Sequence, residues 1–319
     1  MTHTKFERVY DMRYFIENSR LKVEIDSFGA EVKSVLNKNN YREYMWYGNG
    51  KYWGRTSPVL FPFVGSLKDK KYTWEGKEYP MGQHGFARDN EFTLVSQTDD
   101  EIWFEFTSNE DTLKKYPFNF ILKIGYKLTS NEITDDVKVM WEVINPDDNT
   151  MYFSIGAHPA FLCPLHGFEN SKLLNQGCKT GYKLYFEDVE EIHHHGNDVA
   201  LGLATRDDNV LALEDGYVTI TDDFFDRCTY MIGGNQTKCV GIADEEGRRA
   251  VDVCFDTPLF AIWSPEKKNA PFICIEPWYG RCDAIDFEGD LSQREFTNTL
   301  APKETFTGGY TMKFYEYYW

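Results

Sequence analysis

The chain reads as an all-β protein, a large antiparallel β-sandwich or barrel with few short helices, and three observations predict it. Apolar residues recur every second position along most of the sequence. Clusters of Gly, Asn and Asp punctuate those runs. Aromatic residues make up 16% of the 319 residues, with 24 Phe and 20 Tyr, and such side chains favour pleated, half-buried strands.

The alternation is direct in Leu21-Lys22-Val23-Glu24-Ile25 and in Leu122-Lys123-Ile124-Gly125-Tyr126-Lys127-Leu128. Ile102-Trp103-Phe104-Glu105-Phe106 keeps its one charge on a single face. In Val137-Lys138-Val139-Met140-Trp141-Glu142-Val143 one face is wholly apolar. This pattern means one buried face and one wetter face. Residues 210–220, 250–255, 259–263 and 310–318 are further strand candidates. Turn-forming clusters at 145–149, 207–209 and 233–235 separate the runs, as hairpins require. Only residues 109–115 read as a short helix. Many short strands with turns between them argue against a βαβ arrangement. No repeat, low-complexity tract or linker interrupts the chain, so residues 1–319 are expected to form one domain. Length alone would allow two, but all-β sandwiches often run long.

Three segments carry chemistry. Phe272-Ile273-Cys274-Ile275-Glu276-Pro277-Trp278 sets a carboxylate at the end of an apolar run, where ionising it is costly unless the charge is used. Pro277 is expected to end the strand by removing a backbone donor, and Trp278 to offer a flat apolar face. The ordinary alternative is a capping or ion-paired Glu. Gly82-Gln83-His84-Gly85-Phe86-Ala87-Arg88 and Phe153-Ser154-Ile155-Gly156-Ala157-His158-Pro159-Ala160-Phe161 each place one His among small and apolar residues. Histidine titrates nearest neutrality, at about 6.5. Pro159 puts His158 at a strand end or turn. Gly156 and Ala157 leave the backbone open to close approach by a ligand. A satisfied core histidine is the ordinary reading of either His alone. Two of them together with Glu276 weaken it.

Together these segments resemble the aldose 1-epimerase family, the galactose mutarotases, and within it the LacX-like branch. Arg55-Thr56-Ser57-Pro58-Val59-Leu60-Phe61-Pro62-Phe63-Val64-Gly65 resembles the opening motif of that branch and of the hexose-6-phosphate 1-epimerases. The similarity covers most of the chain. It implies the mutarotase-like supersandwich, a hexose or hexose derivative as substrate, and no cofactor. It implies that His158 is the general acid, that Glu276 is the general base, and that His84 holds and polarises the sugar. Arginines matching Arg55 and Arg88 help hold the phosphate in the hexose-6-phosphate relatives. Galactose mutarotases usually carry an Asn shortly after the first Arg, where this chain has Ser57 and Pro58, so galactose is less secure as the substrate. For Arg88 an ion pair with Asp89 is the structural alternative. The family also places an acid on the sugar hydroxyls. Residues 221–227 lie where that acid is expected, with Asp226 the candidate and a turn-forming Asp the alternative. Asp283 is read as orienting Arg281 or its loop. Trp278 completes the expected binding residues.

The residue types suit the reaction. Ring opening removes the C1 hydroxyl proton and protonates the ring oxygen, so one base and one acid must flank the anomeric centre. Each such transfer is typically worth ~10² to 10⁴ in rate. No glycine-rich nucleotide loop and no nucleophile elbow occurs. Two other classes stay open. A non-catalytic sugar sensor would keep the pocket without turnover. A glycosidase needs a second carboxylate across the scissile bond, and no second acid stands in a comparable motif.

Asp and Glu outnumber Lys and Arg by 51 to 34, a formal charge of −17. Such a field repels polyanions, so neither nucleic acid nor an anionic membrane is an expected partner. The expected partner is a small-molecule sugar, bound by a monomer or homodimer. The seven Cys are odd in number and include no Cys-x-x-Cys pair, so neither a disulfide framework nor a zinc site is expected. Cys254 and Cys274 lie in apolar runs and read as core residues. His193-His194-His195 reads as a solvated loop, because neighbouring side chains of an extended segment diverge. No signal-length or membrane-length apolar stretch is present, and a cytoplasmic location is expected.

Overall fold

The computed structural model describes residues 12–164 and 179–315. Its regular structure is almost wholly antiparallel strand. The central sheet has nine, in the order Tyr217–Thr219, Lys183–Phe186, Cys239–Ala243, Arg249–Phe255, Thr305–Tyr315, Thr134–Ile144, Ile121–Ser130, Glu101–Thr107 and Thr93–Gln97. The second large sheet runs Tyr230–Gly233, Leu259–Trp263, Phe272–Tyr279, Ile155–Ala157, Val59–Leu60, with Ala160–Leu162 also paired to Phe272–Tyr279. A third sheet holds Arg13–Glu17, Leu21–Asp26 and Glu31–Asn37.

The two-residue period explains the packing. Val137, Val139, Trp141 and Val143 of one strand are all buried, while Lys138 between them is exposed. Aromatic contacts join the layers: Phe161 meets Phe314, Phe61 meets Phe120, and Phe153 meets Phe306. The one α-helix among the described residues, Glu110–Leu113, starts at Asn109, whose side chain accepts from the Asp111 and Thr112 amides. That is the helix expected at 109–115, cut to one turn.

Four expectations are corrected. Residues 210–220 are not one strand. Asn209–Ala212 and Tyr217–Thr219 flank a tight turn in which Asp215 and Gly216 take positive φ, the Asp-Gly hairpin signal. The 193–195 run is not a loop: Glu191–His194 is a strand, with His194 buried and His193 exposed. Cys239 and Cys254 form a disulfide. The reason is register, since adjacent antiparallel strands set Cys239 opposite Cys254, and a 15-residue separation forms no local motif. Residues 316–318 of the last strand candidate lie outside the described residues, whereas 310–315 are strand.

The fourth correction shapes the site. Pro277 does not end its strand; Phe272–Tyr279 runs on through it. Ile275 N donates to Pro159 O. Counting two along the strand, Pro277 turns its donorless nitrogen to the same seam. The register sets Pro277 opposite Ala157, the last residue of Ile155–Ala157, so the missing donor falls only at the end of that strand. Gly156 pairs with Trp278 and Ala160 with Cys274. The residue midway, His158, therefore lies opposite Glu276.

Candidate active site

That register brings His158 Nε2 to 3.3 Å from Glu276 Oε1. Both are buried, at 7% and 1% exposure. His158 Nδ1 and Glu276 Oε2 have no hydrogen-bond partner among the described residues. Unsatisfied buried polar atoms are costly, and they cluster here. Burial drives the two groups toward their neutral forms. It pushes Glu276 well above the usual carboxylate range, with the Trp278 indole N–H a smaller opposing influence that falls short of a hydrogen bond. It pulls His158 down to about 3, helped by the positive charge of Arg88.

His84 stands beside them, its ring edge-on to His158 with centroids 5.6 Å apart. Gly65 N donates to its Nδ1 at 3.1 Å, which fixes the tautomer with the proton on Nε2. Burial, and then the Arg88 charge, holds His84 well below its usual pKa, so the ring is neutral. His84 and Gly85 both have positive φ. At Gly85 a Cβ would sit 2.3 Å from the Phe61 carbonyl oxygen, so only glycine lets this turn dock on the Arg55–Gly65 segment.

Arg55 and Arg88 meet around one acid. Arg55 Nη2 pairs with Asp89 Oδ1 at 2.6 Å, and Arg88 Nε stands 3.9 Å from Asp89 Oδ2. The ion pair expected for Arg88 thus belongs mainly to Arg55. Arg88 Nη2 donates to Gln83 O, while its Nε is buried without a hydrogen-bond partner among the described residues. Burial lowers the Arg88 pKa to about 10, which leaves it charged at neutral pH. The Thr56 and Ser57 amides both donate to Glu31 Oε1, and this anchors the Arg55 loop.

Other candidates fall elsewhere. Trp278 is buried against Val64, Met231, Leu259 and Cys282. The space above Gly156 is filled by this ring: a Cβ there would lie 2.7 Å from Trp278 Cδ1. The small residue thus admits Trp278, not a ligand. Asp226 is exposed and accepts from Lys267 N; no contact joins it to His158 or Glu276 among the described residues. Asp283 pairs with Arg294 and accepts from Lys68 N, while Arg281 pairs with Glu295. Asp283 therefore fastens the loop and does not orient Arg281 by an ion pair.

Sequence reasoning missed two tryptophans. Trp53 stacks on the His158 ring at 4.5 Å, and Trp263 meets the same ring edge-on at 5.3 Å. Both are only partly buried. Trp263 had a legible signal, since it ends a predicted strand. Trp53 sits in an irregular stretch and had none. A groove of about 810 Å³ lies across the nine-stranded sheet, lined by Trp103, Met140 and Gly308 among others. It holds none of these groups, so chemistry and not volume locates the site.

A buried carboxyl–imidazole pair with a neutral histidine beside it, on an antiparallel sandwich, is a site able to exchange protons with a bound ligand. The sequence model of the aldose 1-epimerase family matches residues 12–313, and the chain belongs to that family. It is LacX-like: it is 28% identical to protein LacX of Lactococcus lactis subsp. lactis over 298 residues, 91% of this chain and 95% of that one. A structure described as a galactose mutarotase related enzyme of Lactobacillus acidophilus superposes with a TM-score of 0.86 at 33% identity, covering 96% of this chain and 98% of that one. A galactose mutarotase-like protein of Lactobacillus casei gives 0.83 at 30% identity, covering 95% and 99%.

Proposed function

We propose that this protein is an aldose 1-epimerase that interconverts the α and β anomers of a hexose or hexose derivative. The observation that carries the reading is the buried His158–Glu276 pair, 3.3 Å apart. Burial raises one pKa and lowers the other, so both side chains favour their neutral forms. The resting form is a carboxyl beside a neutral imidazole. The reactive form, carboxylate beside imidazolium, has the same proton count and needs only a shift from oxygen to nitrogen.

From that form the steps follow. Glu276 takes the proton from the C1 hydroxyl as His158 gives one to the ring oxygen. The C1–O5 bond breaks and the aldehyde forms. Rotation about C1–C2 presents its other face. The ring closes with the roles reversed, and the pair returns with its one proton. His84 donates from Nε2 to a sugar oxygen, because its Nδ1 is already engaged by Gly65. Trp53, stacked on His158, holds the imidazole plane.

A phosphorylated hexose is the second reading, favoured by Arg88. Arg55 is already neutralised by Asp89 at 2.6 Å. Arg88 keeps a buried, unbonded Nε and is the better placed for an anionic substituent. NMR exchange spectroscopy between anomers of glucose, galactose and glucose 6-phosphate tests both readings. Accelerated exchange is expected. If Arg88 reads a phosphate, Arg88→Met selectively loses the phosphate ester. Binding of sugars with no acceleration would overturn the epimerase and favour a sensor.

A further inference from the structure

We propose that Cys274, His158 and Glu276 also form a latent site for one thiophilic divalent cation such as zinc, and that its occupation blocks catalysis. One potential ligand atom from each residue lies within 4.8 Å of the others, the only such grouping of three among the described residues, and all three side chains are buried. Cys274 is a free thiol. It lies two residues from Glu276 on Phe272–Tyr279, so thiol and carboxylate leave the same face of the strand. His158 faces them across the seam.

The imidazole–carboxylate edge suits a small tetrahedral ion, and the thiol lies within 4.8 Å of both atoms. Zinc–nitrogen and zinc–oxygen bonds of about 2.0–2.2 Å imply a ligand–ligand edge of about 3.4 Å. The imidazole and carboxylate atoms stand 3.3 Å apart. Sulfur, nitrogen and oxygen donors together select zinc, cobalt or cadmium over magnesium or calcium. Three protein ligands leave a fourth position open. A cation held this way ties up the two groups that must exchange protons with the sugar. Inhibition rests on the epimerase reading; cation binding does not.

Cobalt titration of the chelator-treated protein, followed by absorption, tests binding directly. The expected result is a sulfur-to-cobalt charge-transfer band that saturates with one equivalent and disappears in Cys274→Ala. In anomer exchange, zinc inhibits the wild type reversibly by chelator, magnesium does not, and Cys274→Ala needs at least about 100-fold more zinc. Cys274→Ser repeats both measurements if the alanine variant does not fold. No charge-transfer band in the wild type, the same band in the variants, or equal zinc sensitivity of wild type and variants overturns the proposal. A wild type that shows the band but no exchange activity contradicts the epimerase reading and leaves the cation site standing.

Discussion

Glu276 and His158 sit where neither can be charged cheaply alone. The pair should behave as one titrating unit with one proton. Replacing Glu276 by Gln, or His158 by Gln, is expected to slow anomer exchange by ~10² to 10⁴. The double variant should lose little more than the worse single, because the two act together. Steady-state exchange rates on the three variants check this. The pair also sets a pH signature in stability. Between 6.5, the usual histidine value, and the raised Glu276 pKa, the unfolded chain has lost both protons and the folded pair keeps one. Stability then falls as pH rises, by about 1.4 kcal/mol per unit. Below 4.5, the usual carboxyl value, the unfolded chain binds two protons and the folded pair one. Stability then falls as pH falls, with the same slope, down to the His158 value of about 3. Between 4.5 and 6.5 the counts match and the contribution is flat. Denaturant unfolding across pH, wild type minus the double variant, should show that plateau. A difference independent of pH contradicts it.

At the scale of elements, the seam between Phe272–Tyr279 and its broken partner makes the site. Pro159 and Pro277 both withhold a backbone donor there, and Gly156 makes room for Trp278. Gly156→Ala should push the indole away, at a cost of about 1–3 kcal/mol typical of overpacking, and should also lower exchange activity. Wild-type activity and stability in this variant would show that the Trp278 contact is unimportant. Much of the fold was legible beforehand. The strands Leu21–Asp26, Glu101–Thr107, Ile121–Ser130 and Leu259–Trp263 follow from alternation. The two buried residues His158 and Glu276 were legible as residue types in short segments, because a Glu and a His among apolar neighbours are visible in sequence. The passage of the strand through Pro277 was not, because it depends on where the facing strand Ile155–Ala157 ends, a contact distant in sequence. The stacking of Trp53 on His158 and the anchoring of the Arg55 loop by Glu31 depend on contacts between residues far apart in sequence. No local pattern encodes them.

For the whole molecule, one covalent tie matters. The Cys239–Cys254 bond closes a loop of 15 residues in the nine-stranded sheet, remote in the topology from the reactive seam. Replacing both cysteines by Ala should cost about 3 kcal/mol of stability with exchange activity unchanged. Thermal or denaturant unfolding beside activity measurements separates the two effects. An activity loss matching the stability loss would mean that the sheets communicate more tightly than their pairing implies.

The shared proton is tested most directly by the pH dependence of kcat/KM for anomer exchange, measured for the wild type and Glu276→Gln after subtracting the buffer-catalysed rate. A pair that shares one proton predicts a flat profile through pH 6.5. The acid limb is displaced toward about pH 3, the His158 value. The alkaline limb is set by the raised Glu276 pKa, and the variant is slower by ~10² to 10⁴ throughout. A break near 6.5, the mark of an ordinary solvated histidine, or a Glu276→Gln protein as fast as the wild type, would contradict it.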